Sequence, residues 1–327
     1  MKTGDLLYLT DTYLPELDSL EGRPWSVHPT GLAEVDRLLD GGYQAGLHVI
    51  GGLTGVGKTA FALALAFKSA IEGRNVLFLS LEQSKRELWS RVIASRTGIA
   101  YSDLKRGGCR QGTVESPLSN RLRSAREWGD IEAAAERLEI IEAGDALSAT
   151  GHGDEVEHLC GPAKSIARST GAPPLVVVDY LQRVPLGDHR NRDTRERVGR
   201  VVGLLQVKLA RELSVPVLAL SSINREAYHP KPTGDSMVSQ LASLKEAGEI
   251  EYTSSTVAIL ATSPRDGGSS RGIEPGSPQV RSVDFSLVKN RDGITGSISL
   301  NWDPVPNEWS PASVKDPFNH GRRVAMR

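Results

Sequence analysis

Gly52-Leu53-Thr54-Gly55-Val56-Gly57-Lys58-Thr59 constrains this chain more than any other stretch. It follows an apolar, β-branched run, His48-Val49-Ile50, and precedes a helical pattern over residues 59–71. That is the strand-to-helix context in which a G-x-x-x-x-G-K-T loop cradles phosphates. Glycines let successive backbone N–H groups turn inward, and the helix start adds its dipole. Read this way, Gly52, Thr54, Gly55, Val56, Gly57, Lys58, Thr59 and Ala60 hold ATP. Lys58 reaches the β- and γ-phosphates and Thr59 ligates Mg2+. An ordinary glycine-rich turn between a strand and a helix has no need of the Lys-Thr pair.

Beyond the loop, short apolar runs alternate with longer helical patterns. Val76-Leu77-Phe78-Leu79, Leu138-Glu139-Ile140-Ile141, and residues 175–178, 215–220 and 257–260 read as strands. Residues 85–95 and 195–213 read as helices, and a short helix over residues 31–39 ends at Gly41-Gly42. Repeated strand–helix–strand units predict an α/β domain with a mostly parallel central sheet covered on both faces. Ligands then belong at the C-terminal ends of the strands. Residues 283–288 and 297–302 flank Asp292-Gly293 and predict an antiparallel hairpin at the sheet edge. With 327 residues, the chain can bury about three quarters of its unfolded surface. The expected organisation is a segment over residues 1–24, an ATPase domain over 25–309 and a flexible tail over 310–327.

Composition removes several classes. The most apolar stretch, residues 60–67, falls well short of the roughly 18 residues of a membrane span. Asp5, Asp11 and Glu16 interrupt the early leucines, unlike a secretory signal, so the expected location is cytoplasmic with no membrane partner. Cys109 and Cys160 cannot form a disulfide framework. With His152 and His158 they suggest a metal site, but no C-x2-C pair anchors one, and packing or surface roles fit better. Lys+Arg 39 against Asp+Glu 40 excludes a protein that coats nucleic acid by bulk attraction. A ring repeating a few basic groups in a channel escapes that argument.

A metal-binding acid is expected at the end of another strand, and Leu175-Val176-Val177-Val178-Asp179 supplies it. Tyr180 follows, so the hydrolytic glutamate that some P-loop ATPases place directly after this Asp is absent. Glu82, at the end of residues 76–81, is either a water-polarising carboxylate or an acid in the first turn of the next helix. The absent acid after Asp179 favours catalysis.

These blocks together resemble the RecA-like, P-loop NTPase motor domain of bacterial replicative helicases of the DnaB type, over nearly everything from Thr30 to Trp309. Phe78-Leu79-Ser80-Leu81-Glu82 looks like the family's strand with the catalytic glutamate, and Val178-Asp179-Tyr180-Leu181-Gln182 like its Asp-Tyr-Leu-Gln block. Residues 217–225 align with a sensor block, which implies sensor roles for Ser222, in place of the usual Gln, and for Asn224. Lys289-Asn290-Arg291-Asp292-Gly293-Ile294-Thr295-Gly296 is similar to the element whose Lys and Arg reach the ATP of the neighbouring subunit. Alone, it reads equally as a solvated basic hairpin. Residues 243–251 resemble the channel loop and its following helix, which implies DNA contacts by Lys245, Glu246 and Gly248. Arg190, Arg192, Arg195, Arg197 and Arg200 interleave with Asp193 and Glu196, as on a solvated helix face. No aromatic residues alternate with them, so phosphate contact is expected rather than base stacking.

The resemblance implies an ATP-driven DNA helicase, a homo-hexameric 5′→3′ translocase on single-stranded DNA in DNA replication, with a primase or helicase loader as further partners. It also implies that the family's helical N-terminal domain is missing. Residues 5–20, with Leu6, Leu9, Leu14, Leu17 and Leu20, resemble in position the linker helix that packs on an adjacent subunit; folding back on the same chain is the other reading. The alternative function is a RecA-fold ATPase acting as a switch, loader or scaffold without processive unwinding.

Overall fold

The computed structural model describes residues 14, 27–106, 118–142, 155–185, 194–223, 247–263, 280–304 and 307–312. Their order is α1 (Ala33–Leu38), β1 (Gly46–Gly52), α2 (Lys58–Ile71), β2 (Val76–Ser80), α3 (Lys85–Thr97), α4 (Tyr101–Arg106), α5 (Leu118–Arg123), α6 (Trp128–Ala135), β3 (Leu138–Glu142), α7 (Glu155–Thr170), β4 (Leu175–Asp179), a 3-10 turn (Leu181–Arg183) and α8 (Thr194–Leu204). A π-helical stretch (Leu205–Arg211) continues α8, followed by β5 (Pro216–Ser222), α9 (Ala247–Thr253), β6 (Thr256–Thr262), β7 (Arg281–Asn290), β8 (Gly296–Asp303) and β9 (Glu308–Pro311).

The strands form one sheet in the order β3-β2-β4-β5-β1-β6-β7-β8-β9. Its first six members are parallel, and β7 to β9 add an antiparallel edge. Successive residues of the parallel strands go to opposite faces. Ile50, Phe78, Val177, Leu218 and Ala258 join one core, while Val49, Leu77, Val176, Val217 and Ala219 join the other. Burial on both faces explains why these strands read as continuous apolar runs rather than as alternation. α2 covers the first face with Phe61, Leu65, Ala66 and Ala70, and α8 covers the second with Val198, Val201 and Val202.

Every expected strand forms, and the late pair is the antiparallel hairpin β7–β8. The helix expected over residues 195–213 takes a π-helical second half, in which Glu212 N–H bonds the Val207 carbonyl. β9 extends the domain to Pro311, beyond the expected end at residue 309, because Trp309 stacks on Trp302 at 5.3 Å and 7° and meets Phe61 edge-on. α3 starts on a capping box formed by Ser84 and Glu87 and stops at Gly98, whose φ is 68°. Residue 14 aside, the segment over residues 5–20 lies outside the described residues, as do Cys109 and His152. Cys160 sits on α7 with its thiol 3.5 Å from the Val156 carbonyl. Among the described residues no group of three His, Cys, Asp or Glu could hold a metal, and no helix is long and apolar enough to cross a membrane.

Two buried histidines tie the strand bases together. His48 lies 2.8 Å from both the Gln44 carbonyl and the Thr256 hydroxyl. Nε2–H donates to the first, so Nδ1 accepts from the second, which is the neutral tautomer. Burial pushes it down to about 4. His28, 3.3 Å from the Pro173 carbonyl, has a buried Nδ1 without a partner among the described residues and is likewise pushed down to about 4 by burial. Folded pKa values below the unfolded value mean that the unfolded chain binds more protons as pH falls from about 6.5 to 4, so stability drops in that window, by up to about 3 kcal/mol per histidine. Asp179, raised to about 6 by burial, acts with the opposite sign and offsets part of this. Denaturant midpoints measured from pH 7 to 4 should fall, and His48→Asn should flatten the decline.

Candidate functional site

The phosphate loop lies where three parallel strands end. Gly52 pairs with Ser222 of β5 and with Leu260 of β6. A Cβ on Gly52 would stand 2.9 Å from the Leu260 carbonyl oxygen and 2.8 Å from Val56, so the close approach of backbones requires glycine. Gly55 and Gly57 have φ of 85° and 100°, a left-handed conformation that turns the loop into α2. At Gly57 a Cβ would also meet the Trp302 ring at 2.9 Å.

Above the loop is a cavity of about 260 Å³ lined by Thr54, Gly55, Gly57, Lys58, Thr59 and Ala60, by Glu82 and Gln83, and by Arg91, Asp179, Tyr180, Ser222 and Trp302. Nearly all the proposed phosphate residues therefore meet at one place, together with both acids and Ser222. Gly52 and Val56 support the loop from below: Val56 is buried in the core, and its N–H bonds the Leu53 carbonyl. Lys58 Nζ donates to the carbonyls of Gly52 at 2.7 Å and Leu53 at 3.1 Å, which holds the ammonium under the loop. Burial lowers its pKa, opposed by Asp179 and Glu82.

Asp179 is 2% exposed, at the end of β4. Burial pushes its carboxyl up to about 6 and Glu82 adds to the rise, while the Thr59 hydroxyl and Lys58 oppose it. Its Oδ2 is buried without a hydrogen-bond partner among the described residues. An orphaned carboxylate oxygen beside a threonine hydroxyl fits a hard divalent cation, which takes oxygen ligands and restores the missing interaction. Glu82 follows β2 and is exposed into the same cavity.

Some participants lie far from the loop in sequence and carry no local motif. Arg91, on α3, donates to the Gln83 side chain at 3.0 Å and stacks over Tyr101 at 5.0 Å. It joins the phosphate cavity to a second one of about 260 Å³ lined by Ala94, Ala100, Tyr101, Ser102, Pro304 and Asn307. Asn307 accepts from the Trp302 indole at 3.2 Å and donates to the Ala60 carbonyl at 3.2 Å, fastening the β8–β9 turn to the first turn of α2. Only the i to i+9 placement of Arg91 after Glu82, on a helix leaving the strand end, could have hinted at this.

Lys289 and Arg291 are elsewhere. Asn290 between them pairs with Thr256, which pairs with His48, so they stand at the N-terminal end of the parallel strands, opposite the phosphate cavity. Lys289 donates to the carbonyls of Glu251 and Ser254, and Arg291 to that of Tyr252 at 3.1 Å. Both cations thus sit on the C-terminal carbonyls of α9, where a positive charge is favourable. Burial and the neighbouring Arg291 lower the pKa of Lys289. Gly248 lies in the first turn of α9, where a Cβ would come 3.7 Å from Arg195 Nη2. Lys245, Glu246 and Asn224 fall outside the described residues, as do Arg190 and Arg192.

Residues 28–310 match the model of a family described as the DnaB-like helicase C terminal domain. Among curated relatives, replicative DNA helicase DnaB of Geobacillus stearothermophilus is 27% identical over 297 residues, and replicative DNA helicase DnaC of Bacillus subtilis (strain 168) is 26% identical over 297 residues. Each alignment takes in 90% of this chain and 59% of the relative, so the chain spans well under two thirds of those proteins' length. A solved ATPase domain superposes with a TM-score of 0.69 at 24% identity, covering 95% of this chain and all of that one. A DnaB-like replicative helicase, solved with attention to its interactions with primase, gives 0.68 at 22% identity, over 92% of this chain and 68% of that one. The fold is that of RecA-like ATPase domains.

Lys58→Ala should abolish binding of Mg·ATP with the melting temperature preserved, since its ammonium bonds only the loop's own carbonyls within the described structure. Gly57→Ala should weaken binding at least about tenfold, because both the positive φ and the Trp302 ring oppose a Cβ. Titration with a fluorescent ATP analogue reads both.

Proposed function

The chain belongs to the family of DnaB-like helicase C-terminal domains, and on that premise we propose that it is an ATP-hydrolysing DNA helicase motor that assembles into a ring and moves along single-stranded DNA. The observation that carries this reading is the separation of its two sets of charged groups. Lys58, Thr59, Asp179 and Glu82 line one cavity, while Lys289 and Arg291 stand at the opposite end of the sheet. Those two cations lie away from the cavity of their own chain and serve the phosphate held by another copy. Tyr252, 82% exposed, and Ile294, 56% exposed, flank Arg291 with apolar surface, as a face that meets a neighbour requires.

In this mechanism Lys58 holds the β- and γ-phosphates, and Thr59 and Asp179 hold Mg2+, which screens charge on the phosphates when bound. Glu82 orients the attacking water and takes its proton. Ser222, at the end of β5, reports the γ-phosphate, with Asn224 assigned to the same sensor block. Lys289 and Arg291 of one subunit stabilise charge on the phosphoryl group held by the next, a contribution worth several kcal/mol of barrier. Lys245, Glu246 and Gly248, ahead of and within the start of α9, touch the strand's backbone, with Lys245 on a phosphate, and six subunits repeat the contact in a central channel. Lys245 makes a point-charge contact rather than a forked one. Work in DNA replication, a 5′→3′ direction and engagement of a primase or loader complete the proposal, as does a cytoplasmic location.

Steady-state ATP hydrolysis at modest salt, with and without single-stranded DNA, tests coupling: strong stimulation is expected, and a rate indifferent to DNA favours the switch or scaffold reading. Arg291→Ala should bind nucleotide normally and lose turnover by about 10³-fold. Mixing Arg291→Ala with Lys58→Ala chains, each inactive alone, should restore measurable hydrolysis, because the second supplies the arginine that the first lacks. Absence of complementation counts against action between subunits.

A further inference from the structure

β4 and β5 pair only from Val176↔Val217 to Val178↔Ala219, whereas β5 runs on to Ser222. The two strands part just before the cavity, between Asp179 on one side and Ser222 on the other. One side chain spans the gap. Gln182, in the 3-10 turn after β4, donates from Nε2 to Ser221 Oγ at 3.0 Å and accepts the Ser222 N–H on Oε1 at 3.2 Å. Both ends of the amide are used, so its orientation is fixed. Ser222 is the residue opposite Gly52 in the ladder and lines the phosphate cavity, so the amide holds the backbone of a residue that faces the site.

Gln182 is itself held from behind. Arg197 Nη2 on α8 donates to the Gln182 carbonyl at 2.8 Å, and the Arg197 Nε is buried with no partner among the described residues. α8 also packs against α9: a Cβ on Gly199 would stand 3.0 Å from the Glu249 side chain, and Gly248 lies beside Arg195. The helix that fixes Gln182 is thus the one that touches the start of α9.

We propose that Gln182, braced by Arg197, is a positioning residue that holds Ser222 where it distinguishes a bound nucleoside triphosphate from a diphosphate. The proposal rests on the nucleotide-site reading above and adds to it how γ-phosphate sensing is built and which helix it answers to. A diphosphate leaves the Ser222 position empty of contact, so its binding is indifferent to the amide. A triphosphate needs Ser222 in place.

The test compares affinities of the full chain for Mg2+ with ADP and with a non-hydrolysable ATP analogue, by calorimetry. Gln182→Met keeps the side-chain volume and removes both bonds. It should lower the preference for the triphosphate analogue by about fivefold or more, the worth of one ordinary hydrogen bond, while ADP affinity stays unchanged and the melting temperature falls by no more than a few degrees. Arg197→Met should shift the preference in the same direction, and Arg197→Lys, which can still donate to the Gln182 carbonyl, should restore most of it. An unchanged preference in Gln182→Met, or equal loss of both affinities, would overturn the proposal and leave Gln182 as a brace between strands. If the unaltered chain binds neither nucleotide, the nucleotide-site reading fails and the proposal with it.

Discussion

The parallel pairing of β1 with β5 on one side and β6 on the other determines where everything else can be. It ends three strands at one level, with Gly52 between Ser222 and Leu260. Only there can the loop leave the sheet, turn through Gly55 and Gly57 at positive φ, and start α2 with its amides aimed at one point. A slip of one residue in β1 would reverse which side chains face each core, exchanging Val49 for Ile50, and would move the loop off the crevice. The buried apolar ladder therefore fixes where the loop leaves the sheet.

Against that ladder the antiparallel edge acts as a brace. Trp302 and Trp309 stack, Phe61 of α2 meets Trp309 edge-on, and Asn307 reaches the Ala60 carbonyl. Stacked and edge-on aromatic pairs add roughly 0.5–1.5 kcal/mol each beyond burial. These contacts meet at the first turn of α2, next to the cavity. Trp302 then closes one wall of the cavity over Gly57, so the hairpin that looks appended in sequence is part of the site.

How much could be read in advance follows from how local each signal is. The loop, Asp179 and Glu82 announce themselves because the residues that act together are adjacent or end a recognisable strand. The six parallel strands are legible for the same reason, being short apolar runs buried on both faces. α4, α5 and α6 were not read, since each has eight or fewer residues and too few buried positions to set a period. α7 was missed because Pro162 interrupts its pattern. Arg91, Trp302, Asn307 and the amide bridge of Gln182 depend on tertiary proximity between segments 39 or more residues apart, or on one helix face chosen by packing, and no local pattern encodes either.

Lys289 and Arg291 show how two cations are held when they lie at the far end of the sheet from the cavity of their own chain. Lys289, near the end of β7, and Arg291, just past it, repel as like charges, and burial of Lys289 adds a desolvation cost. The carbonyls at the C-terminal end of α9 offset both, because helix ends leave acceptors without intrahelical donors. On the proposed reading, engaging a neighbour's phosphate exchanges carbonyl oxygens for more strongly charged oxygens, a trade that favours the phosphate without leaving the cations bare beforehand. The acceptors given up belong to the short helix whose first turn contains Gly248. Whatever moves α9 at that end changes the hold on Lys289 and Arg291 at the other, so a seven-residue helix joins the proposed strand contact to the proposed contact between subunits.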